Sequence, residues 1–332
     1  MSFDQILSLV ISAISQGVIW SLMSLGVYIT YRLLAFADLT VDASFTTGGA
    51  ISAIMIVSGW HPLLALLFAA IGGMAAGFIT GFLNTRMGIS PLLSSILTQI
   101  GLYSINLKIM GKPNVPLLRV NTLFTGFNEW TGLKDPYSSL VLGLIFAIVI
   151  VILLYWFFGT EIGCAVRATG NNPSMCRALG VNTKNTTMLA LILANGLVAL
   201  SGGLLAQNQG FADIGMGTGA IVIGLATIII GEVLFFKKNF ILRLFGAVFG
   251  SIVYRIVIAI VLRMDVQSSD LKLYTAIIVA LALWIPNALD AYRQKRSRKQ
   301  TNRLIFDNSC VDSQNESGAV GMENMDGGGR NA

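Results

Sequence analysis

Long apolar stretches without charge alternate with short polar turns over most of this chain, and that alternation predicts its elements. Residues 43–85, 137–160, 185–212 and 273–289 contain no Asp, Glu, Lys or Arg. Each run meets or nears the roughly 20 apolar residues that cross a bilayer as a helix. The first is long enough for two crossings, folded at Gly59-Trp60-His61-Pro62. The pattern predicts nine spans, at about 6–30, 36–58, 62–84, 89–109, 137–159, 186–207, 215–236, 240–262 and 271–289. The first stretch reads as a span rather than a signal peptide, because it is too long and Asp4 stands where a basic segment would be.

Composition agrees with a polytopic membrane protein. Mean hydropathy is +0.74 and charged residues make up 11% of the chain, against about 25% in soluble domains. The net charge of +6 is concentrated after the last apolar run, in Arg293, Lys295, Arg296, Arg298, Lys299 and Arg303. A basic cluster beside a span marks the cytoplasmic side and does not call for nucleic acid as a partner. The loop at 160–185 carries Arg167, Arg177 and Lys184, and the turn at 237–239 carries Lys237 and Lys238. With the intervening crossings these fall on the side of the basic tail, so the N-terminus is expected outside and the C-terminus in the cytoplasm. Lys108, Lys112, Arg119 and Lys134 run against the rule in the external segment 110–136.

An internal echo predicts the arrangement of the spans. Phe36-Ala37-Asp38-Leu39 opens span two and is followed by Gly48-Gly49-Ala50-Ile51; Phe211-Ala212-Asp213-Ile214 opens span seven and is followed by Gly217-Thr218-Gly219-Ala220-Ile221. One copy lies at the cytoplasmic edge and the other at the external edge. The expected fold is therefore all-α: two inverted four-helix repeats joined by span five as a crossing helix. Span five is almost purely Val, Ile, Leu and Phe, as suits a lipid-facing connector. Gly73, Gly77 and Gly81, and again Gly246 and Gly250, recur every four residues and so share a helix face on which backbones can approach closely. Residues 1–290 form the expected membrane domain, and 291–332 a basic and then polar, disordered cytoplasmic tail.

Candidate chemistry is sparse. There is no phosphate-binding G-x-x-x-x-G-K-[ST] loop, so no nucleotide cofactor is expected on this chain. A single His, His61, sits at an external turn, and Cys164, Cys176 and Cys310 lack metal-site spacing, so no metal is expected. No catalytic set is evident, which argues against an enzyme. The polar residues at membrane depth are the pathway candidates. Asp38 and Asp42 stand four apart at the start of span two, where helix capping is the competing role. Asn195 lies mid-span six, Gln207 and Asn208 near its outer end, and Gln16 mid-span one. Arg255 lies in span eight, roughly 12 Å from its outer end at 1.5 Å per residue; it either snorkels outward or lines a wet cavity.

The longest polar interruption runs from Gly159 to Asn182, within the loop 160–185. Asn172 and Pro173 can start a helix and Gly180 can end it. That leaves a knob of about two turns with small Ala178 on it. The run Gly163-x-Ala165-x-Arg167-Ala168-x-Gly170-Asn171-Asn172, followed by Arg177-Ala178-Leu179-Gly180-Val181-Asn182, resembles the cytoplasmic loop of the branched-chain amino acid and ribose permease family of ABC importers. Asp38-Leu39-Thr40-Val41-Asp42 is similar to a segment of that family's sugar members, with Asp42 in place of Gly. Ile230-Gly231 and Gly246 to Gly250 are similar to its late glycine segments, with Glu232 where a second glycine usually stands. Within the family the chain looks most like permeases of tryptophan/tyrosine-type systems.

The resemblance implies a bacterial inner-membrane importer subunit for a small polar solute, amino acids first and sugars or nucleosides next. It implies an ABC ATPase that binds and hydrolyses ATP, an extracytoplasmic binding protein, and a second permease chain, either a homodimer or a different permease. It also implies that Arg167, Ala168, Gly170, Asn171, Asn172, Arg177, Ala178, Leu179 and Gly180 carry the coupling to the ATPase. The alternative function is an ion-coupled secondary transporter with Asp42 and Arg255 as its charge relay.

Overall fold

The computed structural model describes residues 3–262, except Arg119, Lys134 and 235–238, and isolated positions between 273 and 284. Most of span nine, the basic cluster, the tail with Cys310, and Lys237 and Lys238 lie outside the described residues. The described helices belong to one unit, Met1–Ala280.

In chain order the elements are α1 (Phe3–Val27), a π-helical turn (Tyr28–Leu33), α2 (Thr40–Val57), α3 (Pro62–Thr85), α4 (Pro91–Met110), β1 (Asn114–Pro116), α5 (Leu123–Thr131), α6 (Tyr137–Gly159), α7 (Glu161–Asn171), α8 (Pro173–Ala178), α9 (Thr183–Gln209), β2 (Phe211–Asp213), α10 (Ala220–Leu234) and α11 (Phe240–Leu262). Among the described residues, six stretches are long and apolar enough to cross a membrane: Leu7–Leu33, Thr40–Val57, Pro62–Thr85, Tyr137–Gly159, Thr183–Gln209 and Phe240–Leu262. They match six expected spans to within a few residues.

Two expected spans differ. Helix α4 forms where span four is expected but is too polar for that apolar set. Its Ser95, Thr98 and Asn106 are buried, and the Asn106 amide donates to Ala43 O on α2 at 3.3 Å. Span seven does not begin at residue 215. Phe211–Asp213 is a strand paired antiparallel with Asn114–Pro116, glycine-rich turns follow, and the helix starts only at Ala220. The echo at 36–39 is likewise non-helical, so Asp38 precedes α2 rather than sharing a helical face with Asp42. Both Asp residues make the same local bond instead: Asp38 accepts from the amide of Thr40 at 3.0 Å, and Asp213 from that of Gly215 at 2.8 Å.

The centre of the fold is α9, which packs on α1, α2 and α3, while α11 packs on α1 and α10. Lipid offers no hydrophobic drive for helices to associate, so contact area and backbone proximity must hold them. Small residues provide that proximity. A Cβ on Gly48 would strike the Ala199 carbonyl, and one on Gly202 the Phe45 carbonyl, so α2 and α9 cross backbone to backbone. Gly73 and Gly77 stand against Asn195 and Leu191 of α9 in the same way, and a Cβ on Gly81 would come within 3.0 Å of the Met188 side chain. In the other half Gly250 meets Thr227 O, and the Gly246 carbonyl meets Gly231. The outer face of α6 leaves Ile148, Val149, Ile152, Leu153 and Trp156 exposed, an apolar face of the kind that suits lipid.

Overpacking a close crossing costs about 1–3 kcal/mol. Gly202→Val is expected to lower the melting temperature of the detergent-purified protein by several degrees, whereas Gly101→Val, whose Cβ would meet nothing within 4 Å, is expected to leave it unchanged. Equal melting of the two variants would contradict this account of the crossing.

Candidate functional site

Two regions gather the polar residues. The first is the projection between α6 and α9. Thr160 accepts from the amide of Gly163 and starts α7. Gly163 lies so close to Phe157 and Phe158 that a side chain there would strike backbone. This lets the chain turn sharply out of α6. Helix α7 buries Gly163, Val166 and Thr169, every third residue, against the rest of the protein. The sequence predicts a loop over 160–185, and the structure differs there: this three-residue spacing is the helical signal within it. Asn172 caps α8, its Oδ1 accepting from the Met175 amide at 3.0 Å and from the Ser174 hydroxyl at 2.7 Å. Pro173 is the first helical residue, and Gly180 closes the element with a φ of +81°.

Between these ends only Cys176 is buried. Met175, Arg177, Ala178 and Leu179 point outward, Leu179 with 72% of its surface exposed. This is a short, doubly capped knob with an apolar tip.

The base of the projection is fixed to other helices. Arg167 does not face outward alone: its guanidinium lies 4.6 Å from the centre of the Phe240 ring at the start of α11. Gly170 sits against the backbone of Leu33 and Leu34, where a Cβ would clash. Thr169 and Thr186 share a hydroxyl hydrogen bond of 3.0 Å. The π-helical turn that Gly170 touches carries Arg32 in its last turn, and the Arg32 Nε lies 2.7 Å from Glu232 of α10. Arg32 is the ion-pair partner of Glu232 among the described residues. Helix α7 thus touches the π-helical turn that continues α1, together with α9 and α11, and that turn is tied to α10. The remaining members of the expected coupling set, Ala168 and Asn171, lie on α7, where the Ala168 carbonyl accepts from the Asn172 amide.

The second region is a cavity of about 560 Å3 lined by α1, α6, α9, α11 and the segment 211–216. It holds Gln16, Asn208 and Arg255 of the sequence-predicted candidates. Asp135 and Asp213 line it too, and sequence reasoning did not weigh either for chemistry. Asp213 lay in the echo, and Asp135 stood just ahead of span five. The Arg255 guanidinium lies 4.0 Å from the centre of the Trp20 ring. It lines the cavity rather than snorkelling away from it.

The other pathway candidates are engaged elsewhere. Asp38 and Asn195 hold α2 to α9: the Asn195 amide donates to Asp38 Oδ2 at 2.8 Å and to Leu191 O, while its Oδ1 accepts from Ser44 at 2.7 Å. Gln207 donates to Ser52 and Pro62 and accepts from the Leu123 amide. Asp42 reaches across to the start of α10 and accepts from the amides of Gly219 at 3.0 Å and Ile221 at 2.9 Å. It caps a helix that is not its own. It also lines a separate cavity of about 430 Å3 with Gln99, Tyr103, Ser104, Asn106 and Thr218. Among the described residues no group of three or more His, Cys, Asp or Glu could hold a metal.

Comparison with known proteins places the chain in a family. The profile of the family described as branched-chain amino acid transport system / permease component matches residues 9–285. A tyrosine transport system permease protein of Clostridioides difficile is 42% identical over 270 residues, covering 81% of this chain and 88% of its own. An uncharacterized protein of Rickettsia prowazekii is 36% identical over 282 residues, covering 83% and 97%. A nucleoside ABC transporter permease protein of Lactococcus lactis is 29% identical over 152 residues, covering 42% and 41%.

Because Asp42 supplies the acceptors at the start of α10, Asp42→Ala is expected to destabilise the protein by about 1–2 kcal/mol, the usual worth of a lost cap. Asp42→Asn, which keeps one acceptor oxygen, should lose less. Thermal melting of the purified protein checks this. A melting temperature unchanged in Asp42→Ala would contradict the capping geometry.

Proposed function

The chain belongs to the branched-chain amino acid transport system / permease component family of ABC transporter permeases, and we propose that it is the membrane subunit of a bacterial importer that carries an amino acid inward. As a transport permease it is not an enzyme; the ATP would be bound and hydrolysed by a partner ATPase. The observation that carries the reading is the α7–α8 projection. Its tip offers Met175, Ala178 and Leu179 to a partner, and its base rests on helices from both halves of the chain. A push on such a rigid, capped element reaches α1 through Gly170, α11 through Arg167 and α9 through Thr169. An ATPase can move the equilibrium only as far as its affinities for the two permease states differ. A projection that moves as one body with the helices it touches would provide that difference.

The remaining parts of the reading follow the same logic. One chain carries one projection, so two chains, most simply a homodimer, would meet two ATPases, with a separate extracytoplasmic protein delivering the solute. The projection would face the cytoplasm with the basic tail, and the N-terminus the exterior, in a bacterial inner membrane. Residues 1–290 would form the permease domain with nine spans, and 291–332 the tail. Two inverted repeats are supported by matched contacts. Helix α1 against α11 corresponds to α9 against α3, and α2 against α3 to α10 against α11. The two echo aspartates also make the same turn. An amino acid is favoured over sugars and nucleosides by the relative described as a tyrosine transport system permease and by the charged outer cavity. A charge relay between Asp42 and Arg255 has little physical support: the two line different cavities and Asp42 is occupied by backbone amides.

The test is uptake by the assembled transporter. Ala178→Arg and Leu179→Asp are expected to abolish ATP-driven uptake and ATPase association while the permease still inserts and melts like wild type, since both positions are exposed. Arg167→Glu, which loses the contact with Phe240, should also abolish uptake, with some loss of stability. Wild-type uptake in the two tip variants would remove the coupling assignment.

A further inference from the structure

We propose that the cavity between α1, α6 and α11 is a built binding site for an amino acid zwitterion. The carboxylate would sit on donors from Ser15, Trp20 and Arg255, and the ammonium group would face Asp213 and Asp135. The inference rests on the permease reading for its purpose, but the chemistry stands on the cavity itself.

The cavity floor is short of acceptors. Ser15 Oγ, Trp20 Nε1 and Arg255 Nε are buried without a hydrogen-bond partner, and the residues that carry them line this one space, so a small side-chain rotation would present each donor to it. A buried donor without a partner is rare and unfavourable in a folded protein. Guanidinium and indole N–H groups can only donate, so what completes them must accept. A positive guanidinium at membrane depth further asks for a negative charge. The one ion pair among the described residues, Arg32 with Glu232, lies elsewhere, so none of their carboxylates comes within 4 Å of Arg255. The Trp20 ring beneath it fixes its position without neutralising it.

The other lining residues decide which anion fits. Asp135 and Asp213 share the cavity and would repel a bare phosphate or dicarboxylate. Asp213 accepts from Gly215 with Oδ1, and its Oδ2 accepts no recorded bond among the described residues. Asp135 Oδ1 is taken by Ser138 and Ser139, and Oδ2 by a 3.5 Å contact from Asn128. Asp213 is therefore the freer acceptor for a cation. A sugar would leave the guanidinium uncompensated and a simple amine would leave the donors unmet. A molecule with adjacent carboxylate and ammonium groups answers both, and about 560 Å3 lies within the range of small-molecule sites. The second cavity, beside Asp42, has no cationic lining residue and does not offer this pairing.

The experiment is calorimetric titration of the full-length chain in lipid nanodiscs with each of the twenty protein amino acids, without ATPase or binding protein. At least one, L-tyrosine among the first tried, is expected to bind saturably. Its decarboxylated amine and its deaminated acid should bind about tenfold more weakly or worse, as should the amino acid itself to Arg255→Gln. Arg255→Lys should recover part of the affinity. Asp213→Asn, which keeps an Oδ1 able to accept from the Gly215 amide, should weaken the amino acid severalfold and leave the deaminated acid unchanged. No saturable binding by any amino acid, equal binding of the amine or the acid, or unchanged affinity in both Arg255→Gln and Asp213→Asn would overturn the proposal. ATP-driven uptake by the same preparation with its partners separates the two readings: normal uptake with no binding here removes the site and leaves the importer standing.

Discussion

Helix α9 can lie against α2 and α3 only because glycines let the backbones touch, and the rest of the described structure hangs on that crossing. In lipid an apolar side chain gains nothing by facing another helix rather than an acyl chain, so packing must come from surface match and close backbone approach. Gly48, Gly73, Gly77 and Gly202 each stand where a single methyl group would strike α9 or its neighbour. The polar bonds that fix the crossing depend on the same proximity. Asn195 can bridge Asp38, Ser44 and its own helix only because α2 and α9 are so near, and Thr40 shares a 2.8 Å hydroxyl bond with Thr80 of α3 for the same reason. The polar groups most suggestive of a solute path in the sequence are, in this centre, fastenings.

The periphery is organised differently. The π-helical turn, the Arg32–Glu232 pair and the α7–α8 projection form a connected layer at one end, and Asp135, Asp213 and the β1–β2 ribbon belong to segments at the opposite end of α6 and α9. A π-turn within a long helix is a common place for function to sit, and here it is where Gly170 of α7 rests on Leu33 and Leu34. The projection is thus not an appendage on a flexible loop. It is seated on the end of α1 and on the starts of α9 and α11, as a device for transmitting a push would need to be.

Much of this was legible in the sequence, for physical reasons that are easy to name. The long apolar runs located the described spans because crossing lipid demands sustained apolar length, and Asn172, Pro173 and Gly180 marked α8 because helix ends demand caps. Gly73, Gly77 and Gly81 were legible from their spacing alone. What stayed hidden depends on contacts distant in sequence. Asp42 caps α10, more than 170 residues on, and nothing local distinguishes that from a pathway residue. Phe211–Asp213 is a strand because Asn114–Pro116 is there to pair with it. The cavity joins residues from both ends of the described chain, so Asp135 and Asp213 could not be matched to Arg255 by spacing. Helix α7 was lost because its low hydrophobicity resembles a loop, although Gly163, Val166 and Thr169 carry the periodicity.

The account stands or falls on whether this permease works as part of an ATP-driven assembly. The most direct measurement is quantitative mass spectrometry of what co-purifies with the tagged full-length chain from its native membranes in mild detergent, joined to uptake by the recovered complex. The account predicts an ABC ATPase in about equal amount and uptake that requires ATP. A chain recovered alone, with uptake that ignores ATP and follows a proton or sodium gradient, would contradict it.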